Sequence, residues 1–320
     1  MSSEVKKKGL KYSRFEKMDF PFVYLMILFP VVQFALFWIY VNASSIAFSF
    51  QTPEGEFTFR NIRAVFKAFN GVDSYGLNFG ESLKHSLIIW GISHLIVFPI
   101  SVITTYILQR QIFGHYVWRV CYIIPSLMGS IIWTTLVKYI VAYNGPVVSL
   151  LLQMGADLPE MVKHSGLLAS EKTAFPTLIT VSTIMGLVGN SAVLTGAFSR
   201  VPDEIFESAK LDGAGFWREC FQIAIPCVWS TLVMMMTFSL CSIFTSDVNV
   251  FLYSNGTGEP GLSTVGFHLY IITYRISMSG GVRTSYGYPA ALGFVLTCMT
   301  LPVVIIGRWA LEKLQDAVEL

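Results

Sequence analysis

Charge is what this chain has least of. Asp, Glu, Lys and Arg make up 13% of its 320 residues, about half their share in an ordinary soluble domain. So little charge cannot coat a globule of this size, and a soluble fold is excluded. Cations and anions nearly balance at +2, and the basic residues are scattered rather than gathered into a stripe, which argues against a nucleic-acid partner. Cysteine is equally thin as chemistry. Cys121, Cys220, Cys227, Cys241 and Cys298 lie far apart, form no CxxC pair and read as small hydrophobes. The five histidines are just as dispersed, leaving no zinc-like spacing. The chain also lacks a G-x-x-x-x-G-K-[ST] phosphate loop, an internal repeat and a low-complexity tract.

What it has is apolar length. Hydrophobic residues make up 53% of the chain, and mean hydropathy is +0.59. A spanning helix needs about 20 mostly apolar residues. Six segments meet that need, near 21–41, 86–108, 117–141, 174–198, 227–248 and 288–311. The expected fold class is therefore all-α integral membrane, with six transmembrane helices. Lys6, Lys7, Lys8, Lys11, Arg14 and Lys17 precede the first span in the manner of a signal peptide, but its apolar run is long for one and contains Pro30. We expect it to be retained.

With six spans both ends share a side with the second and fourth loops. That side carries thirteen of the Lys and Arg residues and the other side eight. The basic excess marks the cytoplasm, so the expected organisation is a cytoplasmic segment 1–20, a membrane domain 21–311 and a cytoplasmic tail 312–320. Outside, Phe59, Ile62 and Phe66 recur at helical spacing and suggest a short helix lying on the membrane or on a partner. The run from Ser254 to Gly261 is rich in turn formers.

The fourth loop, 199–226, is patterned rather than merely polar. Pro202 followed by Asp203 and Glu204 starts a helix, since the acids favour its N-terminal dipole. Ile205, Phe206, Ala209 and Leu211 supply apolar contacts, Gly213 and Gly215 end the helix, and a second short one runs from Phe216 towards Pro226. Glu207-Ser208-Ala209, then Gly213 three residues later, then Ile223-Ala224-Ile225-Pro226 after nine more, resembles the signature of permease subunits of binding-protein-dependent ABC importers. That signature reads E-A-A, three residues, G, nine residues, I-x-L-P. Ser208 and Ile225 depart from it by small changes of volume. Asp212-Gly213-Ala214 is similar to the D-G-A of sugar permeases. Looser likenesses to maltose and oligosaccharide permeases lie at Asn61-Ile62, Leu83-Lys84-His85-Ser86-Leu87, Leu252-Tyr253, Pro260, Thr264 and Tyr286-Gly287-Tyr288-Pro289-Ala290-Ala291.

The resemblance implies the type I ABC importer permease fold with a cytoplasmic coupling helix, in a bacterial cytoplasmic membrane. It implies a non-catalytic subunit forming half of a path for a carbohydrate, with an oligosaccharide favoured. The expected partners are a second permease, two copies of a cytoplasmic ATPase that bind the ATP and Mg, an extracytoplasmic sugar-binding protein and membrane lipid. No cofactor or metal is expected in this chain. Phe206, Glu207, Ser208, Ala209, Leu211, Asp212 and Gly213 would couple to the ATPase, with Phe206, Ala209 and Leu211 inserting in a groove and Glu207 pairing with a base.

For the cargo path, Ser239, Ser242 and Ser246 would share a face of the fifth span, and Thr183, Gly186 and Asn190 a face of the fourth. Such residues line polar paths or serve helix packing. Phe244, Tyr253 and Trp133 are candidate sugar platforms or interfacial anchors, and Lys138 and Asp247 a candidate ion pair or two snorkelling side chains. His94 reads as a hydrogen-bonded packing residue. The alternatives are a secondary carrier driven by an ion gradient, which often shows repeats and embedded charges, and a membrane enzyme acting on lipid-linked sugar. The enzyme would need clustered acids or metal ligands at one interface.

Overall fold

The computed structural model describes residues 14–52, 54–69, 71, 78–110, 114–245, 250–254, 262–278 and 286–318. It is helical almost throughout, with one isolated antiparallel bridge between Gln51 and Phe57 among the described residues. Five stretches are long and apolar enough to cross a membrane: α1 (Phe22–Ser49), α3 (Phe79–Gln109), Ser130–Gln153, α8 (Lys172–Phe198) and Gly287–Leu314. Short α2 (Arg60–Ala68) separates the first two, and α4 (His115–Leu127) follows α3. Ser130–Gln153 comprises α5 (Ser130–Val141) and α6 (Pro146–Gln153), and α7 (Glu160–Ser165) precedes α8. Beyond α8 come α9 (Asp203–Leu211), α10 (Phe216–Cys227) and α11 (Trp229–Cys241). Then α12 (Val250–Tyr253), α13 (Val265–Met278) and α14 (Gly287–Val318) complete the chain. The pair α10 and α11, bent by 71°, makes a sixth crossing if taken as one span.

Two expected spans are corrected. The third, 117–141, is two helices, because Met128 and Gly129 have extended backbones between α4 and α5. Pro125 removes a donor from the last turn of α4, and Gly129 loses more backbone freedom in a helix than any other residue type. The fifth, 227–248, is broken at Val228, and among its described residues the helix Trp229–Cys241 gives way to a turn. Ser246 and Asp247 lie outside the described residues, as does most of the turn-rich run from Ser254 to Gly261.

Proline also explains two local widenings. The π-helical turns Ile92–Val97 and Cys220–Ala224 lie just before Pro99 and Pro226. A proline inside a helix lacks its own donor and crowds the carbonyl four residues back, and one extra residue in the turn relieves that clash.

Packing gathers at three places. One cluster joins α2 to α13 and α14 through Val65, Ala68, Val265 and Leu292. The helix suggested by Phe59, Ile62 and Phe66 therefore lies on the chain's own last span: Val65 and Ala68 are buried, while Phe59 and Phe66 stay exposed. Asn61 fixes it there by donating Nδ2–H to the carbonyls of Ser49 (3.3 Å) and Gln51 (3.0 Å). A second cluster unites α5, α6, α8 and α13, and a third lies beneath α9. By contrast, α1 is apolar on every side and exposed along Phe22–Val41, the profile of a helix solvated by lipid or by another membrane helix.

Gly166 sits at φ +92°, and a Cβ there would lie 2.7 Å from the carbonyl oxygen of Val141. Gly155, at φ +78°, has open space. Gly166→Ala should therefore lower thermal stability in detergent by about 2 kcal/mol, clearly more than Gly155→Ala. Equal losses in the two melting curves would contradict the packing described.

Candidate functional site

At one end of the bundle, α9 is built by local rules. Asp203 and Glu204 occupy its first turn and Lys210 its last, each with the sign the helix dipole favours. Gly213 adopts φ +75°. Its amide donates to the Lys210 carbonyl (3.0 Å) and that of Ala214 to the Ala209 carbonyl (2.9 Å). These two bonds are a Schellman close, which needs a left-handed residue. Gly215 then caps the next turn from an extended conformation.

The two faces of α9 differ sharply. Phe206 and Ala209 are buried, Phe206 in a cluster with Phe98, Tyr106, Leu194, Phe198 and Ala224. The expectation that both insert in a partner is corrected: Phe206 packs into the chain's own cluster and Ala209 is buried beside it on the same helix face. Outward stand Ile205, Glu207, Ser208, Asp212 and Leu211, the last 89% exposed. A leucine so exposed beside Glu207 forms a small mixed patch on a surface that faces away from the bundle.

Beneath α9 lies a group that the sequence did not advertise. Glu219, on α10, is 4% exposed. It forms an ion pair with Arg110 at the end of α3 and accepts a hydrogen bond from the Tyr106 hydroxyl at 2.9 Å. The Arg110 guanidinium lies over the Phe206 ring, 4.1 Å from its centroid. Alongside, Gln109 donates to Ser199 Oγ (2.9 Å) and accepts from Arg119 (2.9 Å). A buried carboxylate persists only when paired and hydrogen-bonded, and both conditions hold. The available signals were that Glu219 is the lone acid between Asp212 and Pro226 and that Arg110 ends a long apolar run.

The candidate path residues are less gathered. Thr183, Gly186 and Asn190 lie on α8. A Cβ on Gly186 would come within 3.0 Å of Val97, so Gly186 serves close packing on α3. Asn190 donates to the Gly186 carbonyl (3.3 Å). Ser239 is buried, and its carbonyl accepts from Trp90 Nε1 (3.0 Å). Ser242 lies past the end of α11 and donates to the Ser239 carbonyl (2.9 Å). Phe244 and Tyr253 are buried, so neither is an open platform or an interfacial anchor, and Trp133 packs against the second cluster. His94 Nδ1 contacts the Trp90 carbonyl at 2.8 Å, in keeping with a packing role. A cavity of 440 Å³ between α11 and α14 includes Phe244, Leu296, Thr297 and Thr300 in its wall. The hydroxyls of Thr297 and Thr300 donate to the Gly293 and Leu296 carbonyls (2.8 Å each). Those donors are spent on backbone, which suits hydrocarbon better than a sugar.

No family model matches the chain. Among curated proteins, the maltose/maltodextrin transport system permease protein MalF of Shigella flexneri is 30% identical over 148 residues, 45% of this chain and 27% of that protein. Its counterpart in Salmonella typhimurium is 25% identical over 207 residues, 63% of this chain and 38% of that one. A solved bacterial ABC transporter involved in the import of the acidic polysaccharide alginate superposes with TM-score 0.72 at 19% identity. The overlap covers 93% of this chain and 96% of that one. The chain has the fold of an ABC importer permease. Over the matched stretch it is homologous to the maltose permeases, which are transport subunits rather than enzymes. It spans well under two thirds of their length. Together with its apolar helices, this makes the chain a multi-pass membrane protein.

Burial separates the two faces of α9 energetically. Phe206→Ala should cost the isolated protein about 3 kcal/mol, whereas Leu211→Ala should leave its melting temperature unchanged within error. A stable Phe206→Ala protein would mean that α9 is not fastened to this bundle.

Proposed function

We propose that this chain is the membrane-spanning permease subunit of an ATP-driven carbohydrate importer in a bacterial cytoplasmic membrane, and that α9 docks on a cytoplasmic ATPase. The α9 end and both termini are then cytoplasmic, as the thirteen-to-eight distribution of basic residues favours. The observation that carries the reading is the two-faced helix: Phe206 and Ala209 hold it to the bundle while Glu207 and Leu211 face away. A helix lying on lipid headgroups has no need of a tight glycine turn at a fixed distance beyond its exposed acid. Lacking a phosphate loop of its own, the permease draws ATP and Mg chemistry from two copies of that partner.

A second permease completes the path, and the apolar α1, exposed along Phe22–Val41, leaves a surface for it. An extracytoplasmic sugar-binding protein delivers cargo. In support, a solved alginate ABC transporter with TM-score 0.72 to this chain is in complex with an alginate pentasaccharide-bound periplasmic protein. An oligosaccharide is the favoured cargo, from the maltose/maltodextrin relatives. Thr183 and Asn190, partly buried on α8, are the retained path candidates from the fourth span, with Ser242 from the fifth. Gly186 and Ser239 act through packing, and Ser246 lies outside the described residues.

In the reconstituted transporter, Glu207→Lys and Leu211→Glu should each reduce binding-protein-stimulated ATP hydrolysis at least about tenfold while the permease remains inserted, the effect of a charge placed against a docking surface, about 1.4 kcal/mol or more. Unchanged hydrolysis and uptake in both variants would remove the docking reading and favour an ion-gradient carrier.

A further inference from the structure

We propose that Arg110 and Glu219 are positioning residues that join α9, the end of α3 and α10 into one rigid piece, so that displacement of the docking helix is delivered to the second and fifth spans. The proposal rests on the docking reading above and assigns to it a mechanical route.

Apolar burial alone would hold α9 on the bundle without fixing its register, because the hydrophobic effect is non-directional. Phe206 and Ala209 could roll or slide across Phe98 and Phe198 with little loss. The charge pair ties particular atoms together, and the Tyr106 hydrogen bond beside it is directional. Arg110 is the residue that ends α3, and its planar guanidinium meets Glu219 of α10 while the Phe206 ring of α9 covers its face at 4.1 Å. One side chain therefore touches all three elements. Tyr106, one turn earlier on α3, holds Glu219 from the side with a 2.9 Å hydrogen bond. With Glu219 4% exposed, its carboxylate cannot be withdrawn to water without moving its helix. Sliding α9 would uncover a buried charge, and the three elements move together instead. The rigid piece ends where α10 meets α11: Val228 leaves helical geometry at φ −104°, ψ 7°, at the 71° bend.

The test measures uptake and ATP hydrolysis together in the reconstituted transporter, with amide exchange over residues 203–213 in the same protein. Glu219→Gln should lower cargo moved per ATP hydrolysed by at least about fivefold and speed exchange at 203–213. The charge reversal Arg110→Glu with Glu219→Arg should recover most of both. Amides within α8 report whether the variant is folded. If Glu219→Gln fails to fold, Tyr106→Phe, which removes a single hydroxyl from the cluster, should show the same loss of ratio at smaller size. The proposal is overturned if cargo per ATP is unchanged, whether or not exchange rises. It is equally overturned if uptake and hydrolysis fall in proportion, since a merely structural pair would do that. Failure of the docking reading is separate and shows in Leu211→Glu, which leaves the buried cluster intact.

Discussion

A carboxylate buried under an exposed helix is costly unless something holds it, and in this protein the Glu219–Arg110 pair dictates how that end of the molecule is arranged. Arg110 must stand at the end of α3 to reach it, Tyr106 must present its hydroxyl one turn earlier, and Phe206 must cover the guanidinium. The last requirement fixes which face of α9 turns inward. Once Phe206 and Ala209 face the bundle, helical geometry leaves Glu207 and Leu211 outside, and the tight turn at Gly213 returns the chain to α10. The proposed docking surface is thus a consequence of what is buried beneath it.

The second constraint is the solvent. Helices with apolar residues on all sides would aggregate in water, but in lipid they need no partner for their side chains, only closed backbone hydrogen bonds. Hence many hydroxyls among the described residues are satisfied locally: Thr104, Thr135, Thr180, Thr237 and Thr297 each donate to the carbonyl four residues back. Long-range polar contacts are correspondingly informative. They occur where spans must be held in register, as between Trp90 and Ser239 or Ser101 and Leu187, and at the Glu219 cluster.

Hydropathy made most of the crossings legible, because an apolar run of about twenty residues has few other uses. The α9–Gly213 turn was legible for a similar reason, since acids, spaced apolar residues and a glycine at fixed spacing encode a helix and its close. The break at Met128 and Gly129 was not, because it depends on backbone geometry inside an unbroken apolar segment. The inward face of α9 was hidden too: Phe206, Ala209 and Leu211 are all apolar, and only packing against Phe198 and Tyr106 decides which are buried. Arg110 and Glu219 stand 109 residues apart, and nothing local to either names the other. In the two polar faces proposed for cargo, small residues serve packing as readily as transport, and Gly186 against Val97 shows the former.

The central claim is that the outward face of α9 meets an ATP-binding partner while its inward face does not. The most direct measurement is photo-cross-linking in native membranes from a benzophenone side chain placed at position 211, with position 150 of the exposed α6 surface as control. The account predicts one protein adduct at position 211, identified by mass spectrometry as a nucleotide-binding subunit, and none of that mass at position 150. An adduct to lipid alone at position 211, or the same protein adduct at both positions, would contradict it.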